Sequence, residues 1–241
     1  MLAPMLLKKK ALGINTVLLL KFTGGKVTDI SGRHQPVVVG SPSYSTNTTK
    51  FGTSFLPTAA GQRISITDNL SDFLFTPNQA FTFELWARFN SWPPFGGGSV
   101  NPIFSMFNST SPGSTGGWRY GIQYSSSGNA TIYNQSLAAQ SIYASSADAT
   151  AYWQHLALCR DTNNNFAYYI NGCVRGTTPP YSNNATWIAD ILEIGGSVAL
   201  PGVCNAFIEE VRVSRVRRYT GSNTSAEWTN FSAPGPFNTV D

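Results

Sequence analysis

Between Phe81 and Phe89 the chain alternates without a break. Phe81, Phe83, Leu85, Ala87 and Phe89 fall on one parity; Thr82, Glu84, Trp86 and Arg88 fall on the other. Successive side chains of a strand point to opposite faces, so this stretch reads as a β-strand with one face in an apolar core. Shorter apolar runs of the same kind recur along the chain, at residues 17–22, 37–39, 51–56, 63–66, 103–107, 119–124, 130–133, 153–160, 165–170, 173–176, 191–194 and 206–214. Gly, Pro, Ser, Thr and Asn separate them, and these residues supply the turn geometries that strands cannot. The Asp161–Asn165 segment reads as one hairpin turn and Asn171-Gly172 as a second, two-residue one.

About a dozen strands with no helical pattern between them imply a sandwich or barrel rather than a parallel sheet. At 241 residues the chain suits a single β-sandwich. Charged residues make up 12%, about half the usual share, against 41% apolar and 13% aromatic, a balance that excludes disorder. No internal repeat and no second domain is visible. Residues 91–101, with Pro93, Pro94 and three consecutive glycines, read as a long loop, and residues 225–229 as one helical turn.

The formal charge of +4 is unevenly placed. Lys8, Lys9, Lys10, Arg212, Arg215, Arg217 and Arg218 lie near the two chain ends, and without them the remainder is net negative. These runs lack a known nucleic-acid docking motif, so no nucleic-acid partner is expected. Residues 1–16 read as an N-terminal docking arm, apolar and then basic, and residues 17–241 as the sandwich. Lys8, Lys9, Lys10, Arg215, Arg217 and Arg218 are the candidate docking residues. In the arm the charges follow the apolar run instead of preceding it, so no signal peptide is expected. No stretch approaches the roughly 20 apolar residues of a membrane span. Cys159, Cys173 and Cys204 match no zinc or redox spacing and read as free buried thiols, which favours synthesis in a reducing compartment.

Several segments, in order, resemble landmarks of the laminin-G-like, concanavalin-A-like superfamily. Residues 17–22 followed by Asp29-Ile-Ser-Gly-Arg-His34 look like its opening strand and turn. Residues 50–55 look like its second landmark, and Phe81-Thr-Phe-Glu-Leu-Trp86 like its central strand. Trp153-Gln-His-Leu-Ala157 with Tyr169-Ile-Asn-Gly172 fits its paired hairpins; residues 207–214 with Arg218-Tyr219 fit its closing strand. The resemblance implies an all-β, two-sheet antiparallel jelly-roll sandwich. Arg218-Tyr219-Thr220 after the last strand, and Pro236-Phe237 near the end, resemble the form of the domain found in structural proteins of tailed bacteriophages.

Some relatives cleave glycans, so catalysis has to be weighed. Retaining glycosidases need two carboxyls about 5.5 Å apart across the scissile bond. Strict alternation leaves Glu84 without a carboxylate on its own face, and sends the adjacent Glu209 and Glu210 to opposite sides of a strand. His34 and His155, the only histidines, sit in no nucleophile motif, and His155 suits a structural role in its strand. No catalytic residue is expected. A structural calcium is the one cofactor the resemblance raises, with Asp29 in the opening turn and Glu209 as its carboxylates. Thr23 departs from the Asp or Asn that relatives often carry. Alternation also puts Glu209 among Phe207, Val211 and Val213, and pairs Glu210 with Arg212 on the other face. Trp92, Trp118, Tyr181 and Trp187, in or beside loops rich in Asn, Ser and Gly, are the glycan-binding candidates, since sugar rings stack on aromatic faces.

The expectation is a non-enzymatic virion protein of a tailed phage, either a head decoration protein or a tail-associated adhesin. It would be made in the host cytoplasm and assembled with other virion proteins. Host surface glycans are its expected ligands and a homo-oligomer such as a trimer its expected state. A stand-alone bacterial carbohydrate-binding module is the alternative, and a glycoside hydrolase the reading that the missing carboxylate pair disfavours.

Overall fold

A computed structural model describes residues 15–90, 101–110, 118–124, 130–134, 140–142, 152–178, 187–198, 200–220 and 236–237. The expected arm up to residue 14, the loop at 91–100 and the helical turn at 225–229 lie outside the described residues. Among the described residues there is no helix. Two antiparallel sheets dominate. The first runs, in spatial order, β15 (Cys173–Thr178), β14 (Phe166–Ile170), β13 (Gln154–Arg160), β8 (Phe81–Phe89), β20 (Ala206–Ser214), β1 (Thr16–Thr23) and β2 (Lys26–Asp29). At its side, β5 (Ser54–Leu56) joins β20 and carries β4 (Ser43–Ser45). The second sheet runs β12 (Gln140–Ile142), β11 (Ala130–Asn134), β10 (Trp118–Tyr124), β9 (Asn101–Phe107), β17 (Ile191–Ile194), β6 (Arg63–Thr67) and β3 (Val37–Val39). Two small ribbons pair β16 (Trp187–Ile188) with β7 (Leu74–Phe75), and β18 (Gly196–Ser197) with β19 (Leu200–Val203).

The expected two-sheet jelly-roll sandwich is therefore the fold. Strands β8, β17 and β20 have the bounds that their apolar patterns predict. The expected strand at 51–56 is shorter, because only Ser54–Leu56 pairs, while the Lys50 and Phe51 amides are taken by the Glu209 carboxylate. The Asn171-Gly172 turn is as read: Ile170 pairs with Cys173, and both turn residues have positive φ, 49° and 77°. That is the type I′ combination, whose twist matches the strands it joins.

The core lies between the sheets. Phe83, Leu85 and Ala87 of β8, Leu156 and Leu158 of β13, Leu18 and Leu20 of β1, and Val211 and Val213 of β20 meet Ile64, Ile66, Phe104, Met106, Leu192 and Ile194 from the other sheet. Phe83 stacks on Phe104 with ring centroids 3.5 Å apart. Each aromatic of this kind removes roughly 150–250 Å² from water, so this layer supplies most of the driving force for folding. Cys159, Cys173 and Cys204 are free and buried, as their apolar settings predict.

The outer face of the first sheet is also covered, by residues 215–220 and 236–237 running back over it. Leu19, Trp86 and Phe237 form one small cluster there, and Ala157, Cys159, Ala167 and Tyr169, with Tyr219, form another. The first sheet thus has a second core, on the side that alternation would leave to water.

Candidate functional site

Strand β20 determines what this outer layer contains. Its register on β8 runs Ile208↔Ala87, Glu209↔Trp86 and then Arg212↔Glu84, so Glu210 and Val211 together face Leu85. Glu210 takes φ +50° to make this β-bulge. One extra residue reverses the parity of the strand: Ile208 before it and Val211 and Val213 after it all face the core. Glu209 consequently lies on the outer face with Trp86, not among Val211 and Val213 as strict alternation predicts. Glu210 belongs to that outer layer too, so the two neighbouring carboxylates share a face with Glu84.

Three carboxylates on one face would meet the first requirement for glycan cleavage, but each is already matched within the fold. Glu84 is wholly buried. Its Oε1 accepts a hydrogen bond from Arg212 Nε at 2.7 Å, and its Oε2 one from the Tyr219 hydroxyl at 2.7 Å. His155 Nε2 lies 3.0 Å from the same Oε2. Burial by itself would raise the Glu84 carboxyl, but the His155 hydrogen bond and the Arg212 charge outweigh it and hold it down to about 2. The Tyr219 hydroxyl is pushed up, by burial and then by the Glu84 charge, so it stays a donor. Glu209 accepts the Lys50 and Phe51 amides at 2.7 and 2.8 Å. Burial raises its carboxyl while those two amides oppose the rise.

Glu210 pairs with Lys21 and accepts the Phe237 amide at 2.8 Å. The expected Glu210–Arg212 pair does not form, since across the bulge Arg212 faces Glu84. Glu209 and Glu210 are only 2% and 5% exposed. A general acid must reach the leaving oxygen of its substrate. Glu84 and Glu210 instead hold the covering chain to the sheet, and Glu209 holds the backbone at Lys50 and Phe51.

The cover is bound residue by residue. The Phe237 ring lies over the Arg212 guanidinium at 4.5 Å, and its carbonyl accepts Lys21 Nζ. The Tyr219 carbonyl accepts both the Tyr169 hydroxyl and Arg217 Nε at 2.9 Å. The Thr82 hydroxyl donates to the Val216 carbonyl and accepts the Arg218 amide. Trp86 lies beneath Lys50, whose Nζ is 4.0 Å from the ring centroid.

The candidate docking arginines take part in this construction. Arg215 donates to the Leu74 carbonyl and Gln79, Arg217 pairs with Asp161, and Arg218 donates to Ser214 and Thr16. Lys8, Lys9 and Lys10 lie outside the described residues. So do two glycan candidates, Trp92 and Tyr181; Trp118 opens β10 and Trp187 opens β16. The candidate calcium carboxylates, Asp29 and Glu209, are not brought together. Asp29 accepts backbone amides from Leu19, Ser31, Arg33 and His34, which fixes the opening turn. Glu209 is occupied by amides of its own.

A family described as the concanavalin A-like lectin/glucanases superfamily matches residues 59–219, more than half of the chain. No curated protein sequence matches. Similar solved structures include the receptor binding domain of botulinum neurotoxin C/D mosaic serotype, at TM-score 0.65 and 12% identity over 84% of this chain and 48% of that one. The botulinum neurotoxin serotype D ligand binding domain in complex with N-acetylneuraminic acid gives TM-score 0.66 and 12% identity, over 87% of this chain and 49% of that one. The binding domain of botulinum neurotoxin DC in complex with rat synaptotagmin II gives 0.62 and 14%, over 84% and 48%. This chain spans about half the length of those chains, and at such identities the likeness is one of fold.

Proposed function

This chain belongs to the concanavalin A-like lectin/glucanase superfamily, and from that premise we propose that it is a non-enzymatic recognition module, a glycan-binding sandwich carried on the virion of a tailed bacteriophage. The observation that carries the non-enzymatic part is the fate of Glu84, Glu209 and Glu210. All three are buried, and all three are matched by internal donors. Glycoside cleavage of the kind weighed above needs an accessible pair of carboxyls, and this outer layer uses its own to close itself.

The recognition part draws on the fold. Two of the similar solved structures are complexes, one with N-acetylneuraminic acid and one with rat synaptotagmin II, and in each a sandwich of this shape makes up about half of the chain. Trp92, Trp118, Tyr181 and Trp187 are the aromatic candidates to stack on a sugar ring. The virion part draws on Arg218-Tyr219-Thr220 and Pro236-Phe237, the closing pattern that resembles phage structural proteins. In this chain that pattern supplies Tyr219 and Phe237, the two aromatic residues of the cover. Because Arg215, Arg217 and Arg218 are engaged within the fold, docking onto the particle falls to Lys8, Lys9 and Lys10. A symmetric oligomer, such as a trimer, would multiply weak sugar contacts.

A glycan array probed with the full chain tests the recognition reading. Binding that falls at least tenfold in Trp92→Ala or Trp187→Ala supports it, and a blank array overturns it. Removing residues 1–10 tests the placement separately. Loss of particle incorporation with the sandwich still folded supports docking through the arm, and unchanged incorporation overturns it. A chain encoded away from capsid and tail genes that still binds glycans would be a bacterial carbohydrate-binding module.

A further inference from the structure

The turn that follows β2 and the turn that precedes β7 bring His34, Asp68 and Asp72 together. One ligand-capable atom of each lies within 4.8 Å of the others. The His34 and Asp72 side chains are only 1% and 2% exposed. The His34 ring is stacked on Phe73, centroids 5.0 Å apart, and its backbone amide is tied to Asp29, so the imidazole is held in place from two sides.

Its Nε2 is the unusual atom. It sits 3.0 Å from Asp72 Oδ2, yet it makes no hydrogen bond and has no other partner. A buried imidazole nitrogen without a hydrogen bond is costly, and native structures rarely leave one so. A nitrogen and a carboxylate oxygen at this separation, without the alignment of a hydrogen bond, are placed as two ligands of one ion are placed.

The charge balance points the same way. Arg33 holds both oxygens of Asp72, through Nε and Nη2 at 2.6 Å each. That one guanidinium also feels Asp68 and Asp29, so three carboxylates surround a single fixed cation. Asp68 accepts the Leu70 amide on Oδ1 and the Phe73 amide on Oδ2, which orients it without neutralising it. Each carboxylate oxygen has a second lone pair, so neither the Arg33 fork nor these amides exclude a metal.

We propose that His34 Nε2, Asp68 and Asp72 Oδ2 form a binding site for one divalent cation of the zinc class, which fastens the 29–34 turn to the 68–73 turn. One imidazole and two carboxylates suit zinc better than calcium, which takes six to eight oxygens and no nitrogen. Three protein ligands leave the remaining position to water, and small side-chain adjustments bring all three onto one ion. The site is distinct from Asp29 and Glu209.

Calorimetric titration of the chelator-stripped full chain with Zn²⁺ tests it. The expected result is one ion per chain, with a rise in melting temperature that scales with added zinc. His34→Gln and Asp68→Asn each weaken binding by at least about tenfold, and Glu209→Gln leaves it unchanged. Co²⁺ in place of Zn²⁺ gives visible absorption bands that vanish in His34→Gln. Asp68 is partly exposed, so Asp68→Asn keeps the test alive if His34→Gln fails to fold. The proposal is overturned by no heat and no thermal shift at about 1 mM Zn²⁺. It is equally overturned by zinc binding that both variants retain, or by Ca²⁺ binding where Zn²⁺ does not bind.

Discussion

The two faces of the first sheet are built from the same strands and hold together in different ways. The inner face is apolar and meets the second sheet through side chains of mixed shape, among them Phe83, Leu85, Leu158 and Val213. Its cohesion is non-directional and roughly proportional to area, so no one residue defines it. The outer face combines Trp86, Leu19 and Tyr169 with Glu84, His155, Arg212 and Lys21, and it is closed by chain from beyond the last strand. Its cohesion depends on donor meeting acceptor. An apolar layer loses stability in proportion to what is removed, whereas a buried charge network fails when one member is lost, because the rest are left unmatched.

The largest expected effect belongs to the inner face. Phe83→Ala should destabilise the protein by about 3–5 kcal/mol, read as a shift in the denaturant midpoint, because it leaves a cavity against Phe104. A loss below 1 kcal/mol would break the distinction between the faces.

Next is Glu84→Ala, expected to cost about 3 kcal/mol by leaving Arg212 buried without its partner. It carries a signature that Phe83→Ala lacks. The folded Glu84 carboxyl titrates at about 2, below its ordinary 4.5, so the stability it contributes is complete above pH 4.5 and is lost as the pH falls toward 2. Acid titration of stability in the wild-type protein should therefore steepen between those values, and the Glu84→Ala curve should be flatter there. Curves of equal slope would show that the charge is not what holds the cover.

The smallest effect sharpens the contrast. Tyr219→Phe keeps the ring against His155 and Tyr169 and removes only the hydroxyl on Glu84. About 2 kcal/mol is expected, as for a hydrogen bond to a charged group. Limited proteolysis should find the chain after residue 214 opened before the strands themselves. A neutral result would assign the cover to its rings alone.

The inner face was legible in advance because period two records burial directly. Phe81–Phe89 and Ile191–Ile194 have the ends their patterns predict. Short strands such as Ser43–Ser45 and Gly196–Ser197 left no such record, having too few residues to show a period. The outer face was not legible, for a different reason. Glu84 and Arg212 are 128 residues apart and meet only through the pairing of β8 with β20. The face of Glu209 and the partner of Glu210 were misread because alternation has no term for an extra residue. A Glu at φ +50° is a conformation more often given to glycine, so nothing in its identity marks it. The joining of His34 with Asp68 and Asp72 has only a faint trace, in the Asp29-to-His34 turn that fixes one of the three.

The bulge at Glu210 has a consequence for how the strand can change over time. A β-strand is in effect a two-letter reading frame, inward and outward, and Glu210 is a frameshift within it. Substitutions on either side are read in their own frame and can be judged one position at a time. A single-residue deletion at 210 would remove the frameshift and leave the letters as they are, with Val211 opposite Leu85 and Arg212 still opposite Glu84, whereas a deletion at 212 would exchange them for the rest of the strand, turning Val213 toward the charges and Ser214 toward the apolar layer. Lineages of this chain should therefore tolerate many spellings of β20, and a change of length at 210 before one anywhere else in the strand.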